Sequence, residues 1–209
     1  LTVSLEQLAI TETETLNEVI ECLAENFSIK TQGAYNQKTL FEILVRAASN
    51  GDTIENTAKT LKKTPSGNDI RYHLNKITDF EDLERQINQA LKSRVPKGIK
   101  NGHLKLAIDL NLIPYYGKPS NEELPYIYRS QAKSGTCSFY AYATLYVVLK
   151  GKRVTLAIRG VRWLDTSVAI ITYLLAEIDA LHIQIKQLYL DRGFFNVPVI
   201  RWLQALEDV

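Results

Sequence analysis

The feature that most constrains the fold of this chain is a change of hydrophobic period at His103. Before that point apolar residues recur at helical spacing. Leu16, Val19, Ile20, Leu23 and Phe27 share one helical face, and Leu40, Ile43, Leu44 and Ala47 share another. After it, apolar and polar residues alternate. Ile108, Leu110 and Leu112 take one side of an extended run, with Asp109 and Asn111 on the other. The two periods bury different kinds of surface, so neither an all-helical nor an all-β chain is expected. The expectation is a mixed fold (α+β or α/β), with a helical region over 1–102 and a mixed β-sheet domain over 103–209.

Within the helical half, Asn50-Gly51 stops the second helix and Thr53 opens a short one through Ile54, Ala58 and Leu61. Thr64-Pro65-Ser66-Gly67 reads as a turn. Ile70, Leu74 and Ile77 mark the next helix, with Arg71, His73 and Lys76 expected on its outer side. Asp79 then caps a helix through Leu83, Ile87 and Leu91. Two short helices joined by a turn, the second one basic, match a helix-turn-helix pattern. That pattern would place the 66–77 helix in the major groove of double-stranded DNA. A plain helical bundle has the same pattern. Charge is uneven in a way that bears on the choice. Residues 1–60 carry a net −5, residues 61–105 a net +5 and residues 106–209 a net +2. A local positive block is the electrostatic footprint expected for phosphates, and also that of a solvated helical surface. Segment 92–102 reads as a linker, with one proline, two glycines and four cations, Lys97 and Lys100 among them.

The second half reads strand, strand, strand, helix, strand, helix. The first strand, from Leu104, stops at Pro114-Tyr115-Tyr116-Gly117, and a polar loop is expected from Lys118 to about Gly135. Phe139, Ala141, Ala143, Leu145 and Val147 then alternate with Tyr140, Tyr142, Thr144 and Tyr146. A third strand covers Val154 to Ile158, a helix 166–181 and a fourth strand Ile183 to Leu190. The last helix spans Phe194 to Leu206, with Pro198 tolerated only in its first turn. Short turns favour antiparallel pairing of the first three strands. The intervening helix allows a crossover to a parallel fourth, and beside strand one it would bring Asp191 to Asp109. These aspartates stand 82 residues apart, each at the polar position of an apolar run. A carboxylate there is costly to desolvate, and two together repel, so a bound cation is the usual reason to keep both. Asp109 and Asp191 are therefore candidate ligands of Mg²⁺ (or Mn²⁺).

Composition closes off other classes. Hydrophobic residues make up 45% of the chain and charged residues 23%, which predicts a buried core. No apolar stretch approaches the ~20 residues of a membrane span, so no membrane partner is expected. The first residues show no secretory pattern, and a reduced cytosol is expected. Cys22 and Cys137 have no metal-type spacing and read as buried small hydrophobes. His73, His103 and His182 are scattered and offer no nucleophile triad. Phe194 and Phe195 read as core. Asp165 reads as a helix cap and Asp179 as a solvated helix face. Lys133, Lys152, Arg153, Arg159, Arg162 and Arg192 are candidate phosphate contacts. Tyr115, Tyr116, Tyr140, Tyr142 and Tyr146 are candidates to line a DNA surface.

Three stretches carry a family resemblance. They are Ala107-Ile108-Asp109-Leu110-Asn111-Leu112-Ile113-Pro114-Tyr115-Tyr116-Gly117, then Lys133-Ser134-Gly135-Thr136, then Leu188-Tyr189-Leu190-Asp191-Arg192-Gly193-Phe194-Phe195. In this order they resemble DDE transposases of bacterial and archaeal insertion sequences, whose catalytic domain is ribonuclease H-like. The resemblance covers roughly residues 103–206. It implies Asp109 and Asp191 as catalytic metal ligands, and Mg²⁺- or Mn²⁺-dependent phosphodiester hydrolysis and strand transfer. It implies transposon ends and target DNA as partners, a nucleoid-associated cytoplasmic location, and it admits a homo-oligomer. DNA contacts are expected from Arg71, His73, Lys76, Lys97, Lys100, Lys133 and Arg192. The family's third ligand, a glutamate on a later helix, has no counterpart. Only 18 residues follow Asp191, and Glu207 stands too close to it. A catalytic domain incomplete at its C-terminus is therefore expected. A non-catalytic DNA-binding regulator derived from a transposase stays open as the alternative, as does a structure-specific nuclease.

Overall fold

The computed structural model describes residues 11–33 and 35–207. The chain divides into two compact units, Leu1–Ala90 and Leu91–Val209. Among the described residues there are seven α-helices and one open mixed sheet of five strands, an α+β fold.

The first unit holds α1 (Glu12–Asn26), α2 (Gln37–Asn50), α3 (Ile54–Thr60) and α4 (Gly67–Leu74); α5 (Phe80–Ser93) begins in it. Local sequence sets the helix starts. Thr11, Asn36, Thr53 and Ser66 each accept a backbone N–H from the first turn of the helix that follows. Thr11 with Glu14, and Ser66 with Asp69, form reciprocal capping boxes. Such caps contribute about 1 kcal/mol each. Gly51, at φ +63°, ends α2 in the left-handed conformation that glycine adopts without steric cost. Leu40, Ile43, Ala58 and Ile70 are buried together, so α2, α3 and α4 share one core.

His73 belongs to the inner side of α4, which corrects the expectation that it faces outward. It is only 6% exposed. It lies three residues after the fully buried Ile70, hence on the same helical side. Its Nδ1 is 3.3 Å from the carbonyl oxygen of Lys30.

The second unit contains β1 (His103–Pro114), β2 (Ile127–Lys133), β3 (Thr136–Leu149), β4 (Lys152–Val161), α6 (Ser167–Ala176), β5 (Gln184–Leu190) and α7 (Val197–Glu207). β1 is central, antiparallel to β3 on one side and parallel to β5 on the other. β2 and β4 share the outer edge of β3. β2 pairs near Thr136–Tyr140 and β4 from Ala141 onward. β2 falls where a polar loop was expected. It is an edge strand with only Ile127 buried, so its sequence carries no apolar alternation.

One face of the sheet holds the core. Leu106, Ile108, Ala141, Ala143, Leu145, Val147 and Leu156 pack there with Ile171 and Leu174 of α6 and Val199 of α7. Val95 and Ile99, within the stretch read as a linker, are buried in the same core. Leu188 and Leu190 of β5 pack against it. The opposite face of β1 and β3 carries Asp109, Asn111, Tyr140, Tyr142, Thr144 and Tyr146.

Candidate functional site

The two aspartates are brought together by the β1–β5 ladder. Ile108 pairs with Leu190, and the backbone N–H of Asp191 donates to Ile108 O at 3.0 Å. Asp109 and Asp191 thus hold neighbouring positions on adjacent parallel strands. The crossover through α6 makes the pairing parallel, and the strand period sets which face Asp109 occupies. Asp109 is half-buried and Asp191 exposed. Asp191 also caps the 3₁₀ turn Arg192–Phe194, its Oδ1 accepting the Arg192 N–H at 2.6 Å. Among the described residues, no group of three or more His, Cys, Asp or Glu side chains is placed to hold a metal ion. Glu207 ends α7, and its side chain lies outside the described residues.

A guanidinium from β4 reaches over β3, the strand next to β1, on the same face. Thr144 is the cross-strand partner of Asp109. Arg153 Nη2 donates to Thr144 Oγ1 at 2.8 Å, and the guanidinium carbon lies 3.8 Å from the Tyr146 ring centroid. Thr144 was not singled out from sequence; its even-numbered position on β3, opposite Asp109, is the signal that could have found it. Arg159 is engaged differently. It pairs with Asp165 at 3.5 Å and covers the Tyr173 ring at 4.5 Å. Asp165 also accepts the Arg162 N–H at 3.0 Å, whereas the cap of α6 is Thr166, which corrects the reading of Asp165 as the cap.

Past the end of β1 the chain folds back on a tyrosine–glutamate cluster. The Tyr140 hydroxyl donates to Glu123 Oε1 at 3.0 Å, and the Tyr115 and Tyr140 rings meet edge to face at 5.2 Å. Burial, and then the bond to Glu123, pushes the Tyr140 hydroxyl up to about 12. Burial and the Glu123 charge raise Tyr115 as well. The Ser120 backbone N–H, then the Tyr140 hydroxyl, hold Glu123 below the usual carboxylate range.

The other expected DNA contacts belong to both units. Arg71 is exposed on α4 but donates to Asn68 and lies 3.7 Å from Glu55 Oε2. Lys76 is half-buried over the Tyr72 ring at 4.2 Å. His73 and Lys76 line a cleft of about 320 Å³ with Asp79 and Asp82, a mixed charge rather than a phosphate pocket. Lys62 and Lys63 are exposed in the turn between α3 and α4, and the paired lysines before Thr64-Pro65 are the sequence signal for them. Lys97 and Lys100 are exposed just before the start of β1, and Lys133 at the β2–β3 hairpin beyond its end. The whole strand separates them, at about 3.3 Å per residue. Arg192 is exposed next to Asp191. Two core expectations fail: Phe195 is 79% exposed while Phe194 is buried, and Cys137 is exposed. Both follow a turn or edge, where one of two adjacent side chains faces outward.

Compared with known protein families, curated proteins and solved structures, the chain matches none. Among the described residues no helix is long and apolar enough to cross a membrane.

Proposed function

We propose that this chain is a DNA-transposition protein of the DDE type, with a helical DNA-recognition unit and a ribonuclease H-like unit. The observation that carries the reading is the adjacency of Asp109 and Asp191 on β1 and β5. The strand order supports it. β4, β3 and β1 are successively antiparallel, and β5 returns parallel to β1 after a helix. It is the pairing that the sequence pattern leads one to expect for bringing Asp191 beside Asp109, with β2 as an additional edge strand. The shared core of α2, α3 and α4, with α3 and α4 joined by a basic turn, supports duplex DNA as the partner.

The donor set suits a hard divalent cation. Two carboxylates supply oxygen ligands of the kind Mg²⁺ and Mn²⁺ prefer, the remaining positions being left to water. Asp109 and Asp191 would hold one ion. A pair of ions needs a further carboxylate that the described residues do not supply. When bound, the metal stabilises charge on a phosphodiester and makes a bound water more acidic. The protein's own contribution is placement: β1 fixes Asp109, and the 3₁₀ turn after β5 fixes Asp191. The same missing ligand favours a second reading, a non-catalytic DNA-binding regulator.

Thermal unfolding with Mg²⁺ or Mn²⁺, together with DNA binding across a salt series, tests both. A metal-induced rise in Tm that Asp109→Asn abolishes supports the metal site. Equal rises in wild type and mutant sink it. DNA binding that weakens steeply with salt, without a metal response, selects the regulator.

A further inference from the structure

We infer that Arg153 is a substrate-positioning residue that takes a backbone phosphate of the nucleic acid beside the Asp109–Asp191 pair. The inference rests on reading that pair as a phosphodiester site. Arg153 stands opposite Val148, near the start of β4. Its side chain nevertheless reaches back along β3 to Thr144, the residue opposite Asp109. The guanidinium is fixed twice, by the 2.8 Å hydrogen bond to Thr144 and by stacking 3.8 Å from the Tyr146 centroid. Among the described residues it joins no ion pair.

A cation held one strand from a carboxylate, yet not paired with it, has its charge available for another anion. Arginine carries five N–H donors in a planar fork, and Thr144 uses one. The others match the paired oxygens of a phosphate. The aspartates attract a divalent ion but repel phosphate oxygens, and a fixed guanidinium offsets that repulsion. It also sets where along the sheet the phosphate sits, which is the positioning part of catalysis. Arg159 shows the contrast on the same strand. It is consumed by Asp165 and Tyr173.

The test uses the intact chain and a fluorescein-labelled duplex oligonucleotide in Mn²⁺, with affinity measured by anisotropy across a salt series. Arg153→Gln should weaken binding about tenfold and reduce the slope of log K against log salt by about one, the signature of one lost phosphate contact. Arg153→Lys should restore the slope, because the charge returns, while the affinity recovers only in part. Unchanged affinity and slope in Arg153→Gln overturn the inference. So does a lowered Tm with an unchanged slope, which marks a purely structural arginine. The Mn²⁺-induced Tm rise is measured alongside. If Asp109→Asn abolishes it while Arg153→Gln binds DNA like wild type, the inference fails and the metal reading stands. If wild type shows no rise, both fail.

Discussion

Gly67 lies so close to Glu55 that a β-carbon on it would overlap Glu55 Oε2 and stand 3.1 Å from Glu55 Cα. The first residue of α4 thus touches the first turn of α3 almost backbone to backbone. Alanine is ordinarily the better helix residue, by about 1 kcal/mol. Here the contact opposes that gain. The Glu55 carboxylate can swing away, at the expense of its ion pairs with Lys59 and Arg71, but its Cα moves only if α3 moves. Overpacking of this kind costs about 1–3 kcal/mol. Gly67→Ala should therefore destabilise the first unit by about 1 kcal/mol net, read as a lower urea midpoint with an unchanged m-value. A variant more stable than wild type would mean that α3 and α4 part freely.

The β2–β3 hairpin offers a change of the opposite sign. Lys133 pairs with Thr136, so Ser134 and Gly135 form a two-residue loop, at φ +52° and +79°. Two successive positive φ values define the type I′ turn, for which Asn-Gly is the preferred pair. Serine tolerates the left-handed region less well than asparagine. The Tyr116 hydroxyl donates to the Ser134 carbonyl, a backbone acceptor that a substitution leaves in place. Ser134→Asn should raise stability, visible as a higher Tm. A fall would show that the serine side chain has a role in the turn.

Much of this architecture was legible because it rests on period. The alternation through Ile108, Leu110 and Leu112 gave β1 and the face of Asp109, and a helix before β5 gave the parallel crossover. β2 was not legible, because an exposed edge strand has no buried face to impose alternation. His73 was misplaced because an imidazole reads as polar, although its i+3 spacing from Ile70 pointed inward. The Arg153–Thr144 contact lay beyond sequence reasoning. It depends on the β3–β4 register, which shifts at a bulge between Leu145 and Tyr146.

The Tyr140–Glu123 bond predicts a defined pH response. Tyr140 titrates at about 12 in the folded chain and near 10 when unfolded. Between those values the folded state keeps a proton that the unfolded state has lost, so stability falls as pH rises through this window. Glu123 is shifted the other way, below 4.5. Its contribution is present above that value and is lost as pH falls through the lowered one. Tyr140→Phe should flatten the alkaline limb of a Tm-against-pH profile and leave most of the acid limb, since the Ser120 N–H is the larger cause of the Glu123 shift. An alkaline limb identical in the mutant would mean that Tyr140 does not couple folding to pH.

The protein should cut DNA at or near background. Under the proposed reading two carboxylates alone would hold one ion loosely, and no third acid joins them among the described residues. In-line phosphoryl transfer depends on charge stabilisation at fixed positions, and a second ion without ligands cannot provide it. A missing ligand costs several kcal/mol of transition-state stabilisation, and each ~1.4 kcal/mol is tenfold in rate, so the expected deficit is about a thousandfold. The assay is Mn²⁺-dependent nicking of supercoiled plasmid, with Asp191→Ala as the control for contaminating nuclease. Wild type and mutant should be indistinguishable over the time in which a complete two-ion site would nick the whole substrate. Robust nicking that vanishes in Asp191→Ala would overturn this. It would place the third carboxylate outside the described residues or on a second copy of the chain, and would decide for the catalytic reading over the regulator.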